Sequence, residues 1–174
     1  MLKFHDVKQN TDEWYQLRAG KPTSSKLGTI MANYGKAFGE PAKKYAVDIA
    51  VEQLTGRPTP SVYSNKHMER GHEQEPVARM LYEEQKFCDV TNGGFWGDDY
   101  FGCSPDGIVG EKGCIEIKSV IAHVHYANIK RNGVDPAYKW QCIGNLFFTG
   151  SDWIDFISYC EQFPDDRKLF THRM

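Results

Sequence analysis

The sequence predicts one mixed α/β domain, and three observations lead there. Residues 12 to about 85 carry helical signals punctuated by Gly and Pro. Residues 87–119 switch to short runs with strand alternation, and helical and strand signals then interleave to the end. The composition agrees, because 174 residues with 40% hydrophobic and 13% aromatic content can bury one good core. The expected organisation is a single domain over residues 1–174, with a helical N-terminal part (1–63) and a core from about 64 to 174. No stretch reaches membrane-spanning length, and MLKFHDVKQN lacks the apolar segment of a signal peptide. The chain therefore reads as soluble and intracellular, with no membrane partner.

Taken in order, Thr11 or Asp12 caps a short helix over 12–19, which Gly20 stops. Thr23 to about Asn33 reads as a second helix. Pro41 suits a first helical turn, and Ala42, Tyr45, Ala46, Ile49 and Leu54 form a stripe ending at Gly56. Residues 57–63 (RPTPSVY) read as a loop. A longer helix runs from about Asn65 to Gln85, with Met68, Val77, Met80, Leu81 and Tyr82 as apolar contacts. Pro76 removes a donor inside it, so a kink or restart is expected beside Glu75. Strands are expected at 87–91, 94–97, roughly 100–109 and, after the Glu111-Lys112-Gly113 turn, 114–119. Residues 121–131 read as a helix, and Asp135-Pro136 caps another to about Phe148. WIDFISYCEQF (153–163) is too apolar for an edge and reads as a buried strand; KLFTHR near the end reads as a last strand.

Five cysteines without a CxxC pair read as reduced, mostly buried thiols. His123 and His125 stand at i, i+2, which does not share a helix face, so a zinc site is disfavoured. The net charge of −2 gives no global argument for a polyanionic partner. Its distribution says more. Residues 18–44 hold six bases and one acid, a local net of +5, whereas 96–111 hold four acids and no Lys or Arg. A basic lobe facing an acidic centre suits a phosphate backbone held over metal ions; two solvated faces are the plainer alternative.

The stretch CSPDGIVGEKGCIEIKS (103–119) carries the chemistry. Alternation points Ile115 and Ile117 one way, and Glu116 and Lys118 the other. A charged pair on one face of a strand with an apolar underside reads either as a solvated edge or as an active site. Asp106, bent by Pro105 and Gly107, returns through a hairpin towards Glu116, and the two carboxylates can then share one hard cation. Oxygen ligands suit Mg²⁺ or Mn²⁺. Lys118 can orient a water or balance charge building on a phosphate.

Pro105-Asp106, nine residues, then Glu116-Ile117-Lys118 resembles the PD-(D/E)XK nuclease pattern. The wider SPDG…IEIKS context is similar to the phage alkaline exonucleases typified by lambda exonuclease, the YqaJ-type viral recombinases. WYQLRAGKPTSS (14–25), RGHEQEPVARMLYEE (70–84) and YKWQ (138–141) resemble that family's other segments in the same order, over roughly residues 12 to 162. The resemblance places the third acid at Glu75, with Glu73 as the competing position, and brings Gln141 into the site. It implies a restriction-endonuclease-like core with a mixed central sheet flanked by helices. It also implies two Mg²⁺ or Mn²⁺ ions held by Asp106, Glu116, Glu75 and the main-chain carbonyl of Ile117. Lys118 would position the attacking water, and Gln141 would hold it or the scissile phosphate. Arg18 and Ser25 match the positions that receive a 5′ phosphate; on the residues alone, Arg18 can also pair with Asp12 or Glu13 on the helix surface.

The function implied is metal-dependent 5′→3′ digestion of double-stranded DNA ends, leaving 3′ single strands for phage-type recombination. The implied setting is a phage- or prophage-encoded protein in the cytoplasm of a bacterial host, with a homotrimeric ring and a single-strand annealing protein as partner. Two other readings are an endonuclease of the same fold and a catalytically silent DNA-binding or assembly module. Relatives commonly continue past the point matching Met174, so some interface elements are expected to be missing.

Overall fold

The computed structural model describes residues 2–59 and 66–174, and these form eight strands and six α-helices. The strands are β1 (Lys3–His5), β2 (Val90–Thr91), β3 (Phe95–Gly97), β4 (Gly102–Cys103), β5 (Gly107–Val109), β6 (Gly113–Ser119), β7 (Trp153–Tyr159) and β8 (Leu169–Arg173). The helices are α1 (Asp12–Arg18), α2 (Leu27–Ile30), α3 (Glu40–Thr55), α4 (Lys66–Lys86), α5 (Ala122–Arg131) and α6 (Lys139–Thr149). The main sheet has the order β2-β5-β6-β7-β8, and a small sheet has the order β1-β3-β4. Among the strands of the described residues, β6 and β7 pair in parallel and the other pairs are antiparallel. A parallel pair needs a long crossover, and α5 and α6 supply it.

The sheet is the middle layer of three. Ile115 and Ile117 of β6, with Ile157 and Tyr159 of β7, pack against Ala78 and Tyr82 of α4. The alternate residues, Cys114, Ile154 and Phe156, pack against Cys142, Tyr138 and Leu146 on the α6 side. Covered on both faces, β6 and β7 are apolar nearly throughout, which is why the run from Trp153 is legible as a buried strand. On the α6 face Gly144 permits a close approach. A Cβ there would lie 2.5 Å from Leu27 Cδ1 and 2.9 Å from Ser24 Cβ. The turn at residues 24–26 therefore sits directly on α6.

Several expected elements change. The helix expected over Thr23–Asn33 is a 3-10 turn (Ser24–Lys26) followed by the short α2, and Asn33 and Tyr34 turn left-handed at φ 60° and 57°. The strand expected over 100–109 divides at Ser104-Pro105-Asp106, where the chain leaves one sheet for the other. β7 stops at Tyr159 rather than Phe163. α6 begins at Lys139, because Asp135 Oδ1 accepts from Ala137 N and closes a separate turn first. Helix α4 runs through Pro76 without interruption. On α3, Ala42 is buried but Leu54 is 88% exposed, and on α4 the core side is Ala78, Leu81 and Tyr82 while Val77 and Met80 face outward. Residues 60–63 of the expected loop, the helix start at Asn65 and the side chain of Met68 lie outside the described residues. Strand β1 has no sequence signal of its own; it exists through pairing with β3. No helix among the described residues is long and apolar enough to cross a membrane.

Candidate active site

A cleft of about 630 Å³ opens where α4, α6, the end of β6 and the N-terminal turns meet. It is lined by Glu75, Asp106, Glu116, Ile117, Lys118 and Gln141, with Arg18 and Ser25 also on its wall. The eight residues that the resemblance places in the site thus border one hollow, although they lie as far apart in sequence as Arg18 and Gln141.

Asp106 is placed by backbone. Its N–H donates to Ile115 O at 3.0 Å, and its Oδ2 accepts from Ile117 N at 2.6 Å. Gln9 donates to Pro105 O at 2.9 Å, and Arg79 donates to the Asp106 carbonyl. Of the two readings of its strand face, a solvated edge does not hold for Glu116. It is 0% exposed, because α6 covers the strand face on which it lies. Its Oε1 accepts from Gln141 Nε2 at 2.6 Å and pairs with Lys118 Nζ at 2.5 Å; its Oε2 accepts from Asn145 Nδ2 at 2.7 Å. Glu75 is half-buried, one helical turn before Arg79, with 3.6 Å between Glu75 Oε1 and Arg79 Nη2; Glu73 is exposed and does not line the cleft.

The electrostatics follow from crowding carboxylates in a sheltered place. Burial first, then the charge of Asp106, pushes Glu75 up to about 7 and Glu116 up to about 8. Burial also raises Asp106, against the pull of Lys118 and the Ile117 N–H. For Lys118 burial works downward, yet Glu116 and Asp106 outweigh it and hold the ammonium above its ordinary range. The ammonium also lies 5.0 Å from the ring centroid of Tyr138.

Arg18 faces hydroxyls rather than Asp12 or Glu13. Its guanidinium stacks 4.0 Å from the centroid of Trp14 and donates to Ser104 Oγ (3.2 Å), Thr23 Oγ1 (3.3 Å) and Ser25 Oγ (3.3 Å). Trp14 Nε1 donates to the same Ser104 Oγ at 2.8 Å. Burial lowers Arg18 to about 10, still well above neutrality, so it stays a cation. Ser104, Trp14, Thr23, Arg79 and Asn145 were not singled out in the sequence. Two signals were available: Ser104 belongs to the SPDG run, and Asn145 follows Gln141 by one helical turn.

Among the described residues, no three acidic, histidine or cysteine side chains stand close enough to form a ready metal cage. The donor set still fits a hard divalent cation. Its donors are oxygens, with three carboxylates among them, and the repulsion of Asp106 on Glu75 and Glu116 is what a cation would relieve.

Comparison with known proteins supports a nuclease-type architecture. The chain is similar to an alkaline exonuclease, LHK-Exo, from Laribacter hongkongensis, at 34% identity and a TM-score of 0.83, over 94% of this chain and 81% of that one. The complex of LHK-Exo with dAMP gives 36% identity and a TM-score of 0.83, over 94% and 82%. A phage related exonuclease from Haemophilus somnus 129PT shares the fold at 18% identity and a TM-score of 0.71, over 92% and 86%. None of the curated proteins matches. The mixed sheet flanked by helices is the restriction-endonuclease-like fold. The YqaJ-like viral recombinase domain matches residues 13–152, and the chain belongs to that family.

Proposed function

We propose that this protein is a Mg²⁺- or Mn²⁺-dependent exonuclease that digests double-stranded DNA from 5′ ends and leaves 3′ single strands for recombination. The observation that carries the reading is one cleft joining Asp106, Glu116, Glu75 and Lys118 to the Arg18 hydroxyl cluster. Hydrolysis breaks one backbone P–O bond and needs a water held in line behind phosphorus. The Lys118 ammonium orients that water and balances charge gathering on the phosphate oxygens. The Gln141 amide, which reaches the same Glu116 oxygen, holds the water or the scissile phosphate. The Arg18 guanidinium and the Ser25 hydroxyl receive a terminal 5′ phosphate, which carries more charge than an internal diester. A divalent cation bound by Asp106, Glu116, Glu75 and the Ile117 carbonyl would supply Lewis-acid stabilisation of the phosphate charge and acidify water. The family resemblance extends the reading to two ions per site, a homotrimer and a single-strand annealing partner.

The test is digestion of end-labelled linear duplex DNA with Mg²⁺, with and without a 5′ phosphate, beside a covalently closed circle. The expected result is mononucleotide release from linear DNA, faster with the 5′ phosphate, and an intact circle. A cleaved circle would move the reading to an endonuclease. Binding without any cleavage would move it to a silent DNA-binding module.

A further inference from the structure

The two oxygens of Glu116 have different neighbours. Oε1 meets Gln141 and Lys118, both of which line the cleft. Among the described residues Oε2 meets Asn145 alone, at 2.7 Å, and Asn145 is 0% exposed and outside the cleft lining. One oxygen can therefore exchange its partners with whatever enters the cleft, while the other is tied to the interior. Gln141 and Asn145 are one helical turn apart on α6, so both amides approach the carboxylate from the same helix face.

A second observation argues that this amide is more than filling. Asn145 Oδ1 is buried and has no hydrogen-bond partner among the described residues. An unpaired buried acceptor works against folding, and an apolar side chain of similar size would avoid it. The asparagine is a poor choice for stability alone; what it offers is the donor to Oε2.

We propose that Asn145 is a positioning residue: it fixes the Glu116 carboxylate so that Oε1 is presented to a divalent cation in the cleft. The proposal rests on the nuclease reading above. Neighbours that orient a ligand in this way commonly change metal affinity when removed.

The test is a Mn²⁺ titration of the full chain without DNA, by calorimetry. It compares wild type, Asn145→Leu, Asn145→Ala, Glu116→Gln and the Asn145→Ala/Glu116→Gln double variant, with thermal midpoints recorded alongside. Each Asn145 variant should bind Mn²⁺ about 10- to 100-fold more weakly than wild type. The double variant should lose little beyond Glu116→Gln, because both changes act on one carboxylate. On 5′-phosphorylated duplex, kcat should fall while KM for DNA stays near wild type. Should the leucine variant not fold, the smaller alanine variant decides. Mn²⁺ affinity within twofold of wild type in a folded variant, or a loss that adds in full to that of Glu116→Gln, overturns the proposal. A wild type that neither binds Mn²⁺ nor cleaves DNA overturns the nuclease reading itself, and the two failures are told apart by the wild-type arm.

Discussion

Glu116 and Asp155 lie on adjacent parallel strands, and each is fully buried, at 0% and 1% exposure. Pairing sets Ile115 opposite Asp155 and Glu116 opposite Phe156, so a single step along the strand puts the two carboxylates on opposite faces of the sheet. On the α4 face Asp155 accepts from Tyr82 Oη at 2.7 Å and from both Arg173 Nε and Nη2 at 2.8 Å. Arg173 in turn lies 3.6 Å from the centroid of Trp153, so this fork ties β8 to β7. On the α6 face Glu116 has two amides and one ammonium, with Asp106 as a like-charged neighbour, beside an open cleft. A bidentate guanidinium satisfies a carboxylate and leaves it nothing to exchange. Separate donors at the edge of a cleft leave an oxygen that a ligand can claim. The two acids are equally buried; what separates them is the nature of their partners.

The largest effect should come from the cleft. Lys118→Ala is expected to lower DNA cleavage by about 10²–10³-fold or more, and because it also takes the ammonium from the buried Glu116 the rate is compared in a variant that thermal unfolding shows to be folded. Rate assays paired with thermal unfolding check this, and substantial Mg²⁺-dependent cleavage by the variant would remove the lysine from the mechanism. Next comes the other face. Asp155→Ala should cost about 2–3 kcal/mol of stability, because it leaves the Tyr82 hydroxyl buried without its acceptor. Denaturant unfolding measures it, and no loss would mean the Arg173 fork is idle.

A smaller effect is expected at the Arg18 cluster. Arg18→Ala should cut the rate advantage of 5′-phosphorylated over 5′-hydroxyl ends by about tenfold, the worth of a charge-assisted hydrogen bond. Arg18→Lys should rescue only part, since it lacks the fork. Equal slowing on both ends would make Arg18 a general backbone contact. The smallest effect is a pH dependence. His125 is buried, with one ring nitrogen 2.8 Å from Ser158 Oγ and the other 2.9 Å from Arg167 O, and burial lowers its pKa below the usual 6.5. The unfolded chain then binds the proton more readily, so stability drains away as pH falls through about 6.5. Midpoints across that window should fall less steeply for His125→Asn than for wild type; identical slopes would remove His125 as the source.

The sequence showed the cleft better than the parts beneath it. The SPDG…IEIKS hairpin is local, so Asp106, Glu116 and Lys118 could be placed from alternation and one turn. Glu75, Gln141, Arg18 and Ser25 came from motif order, and all border the same hollow. Burial of Glu116 was missed because it depends on α6, which folds back from beyond residue 138 and leaves no trace in the strand itself. Ser104 and Asn145 were missed for the same reason: each is defined by a partner far along the chain, Trp14 in one case and Glu116 in the other. Strand β1 likewise exists only through Phe95–Gly97. Pro76 misled in the other direction, since the helix absorbs the lost donor without a break.

The contrast between the two buried carboxylates is tested most directly by giving each the same change. Glu116→Gln and Asp155→Asn both swap a carboxylate for an amide of equal size. Nucleotide release from 5′-phosphorylated linear duplex with Mg²⁺ is measured beside the metal-free thermal midpoint. Glu116→Gln should lose cleavage by about 10²–10³-fold and shift the midpoint less than Asp155→Asn does, because the lost Lys118 pairing is offset by relief of the burial and Asp106 repulsion that push this carboxyl up. Asp155→Asn should unfold at a lower temperature and, while folded, cleave at a rate close to wild type. Wild-type cleavage by Glu116→Gln, or a folded but inactive Asp155→Asn, would contradict the account.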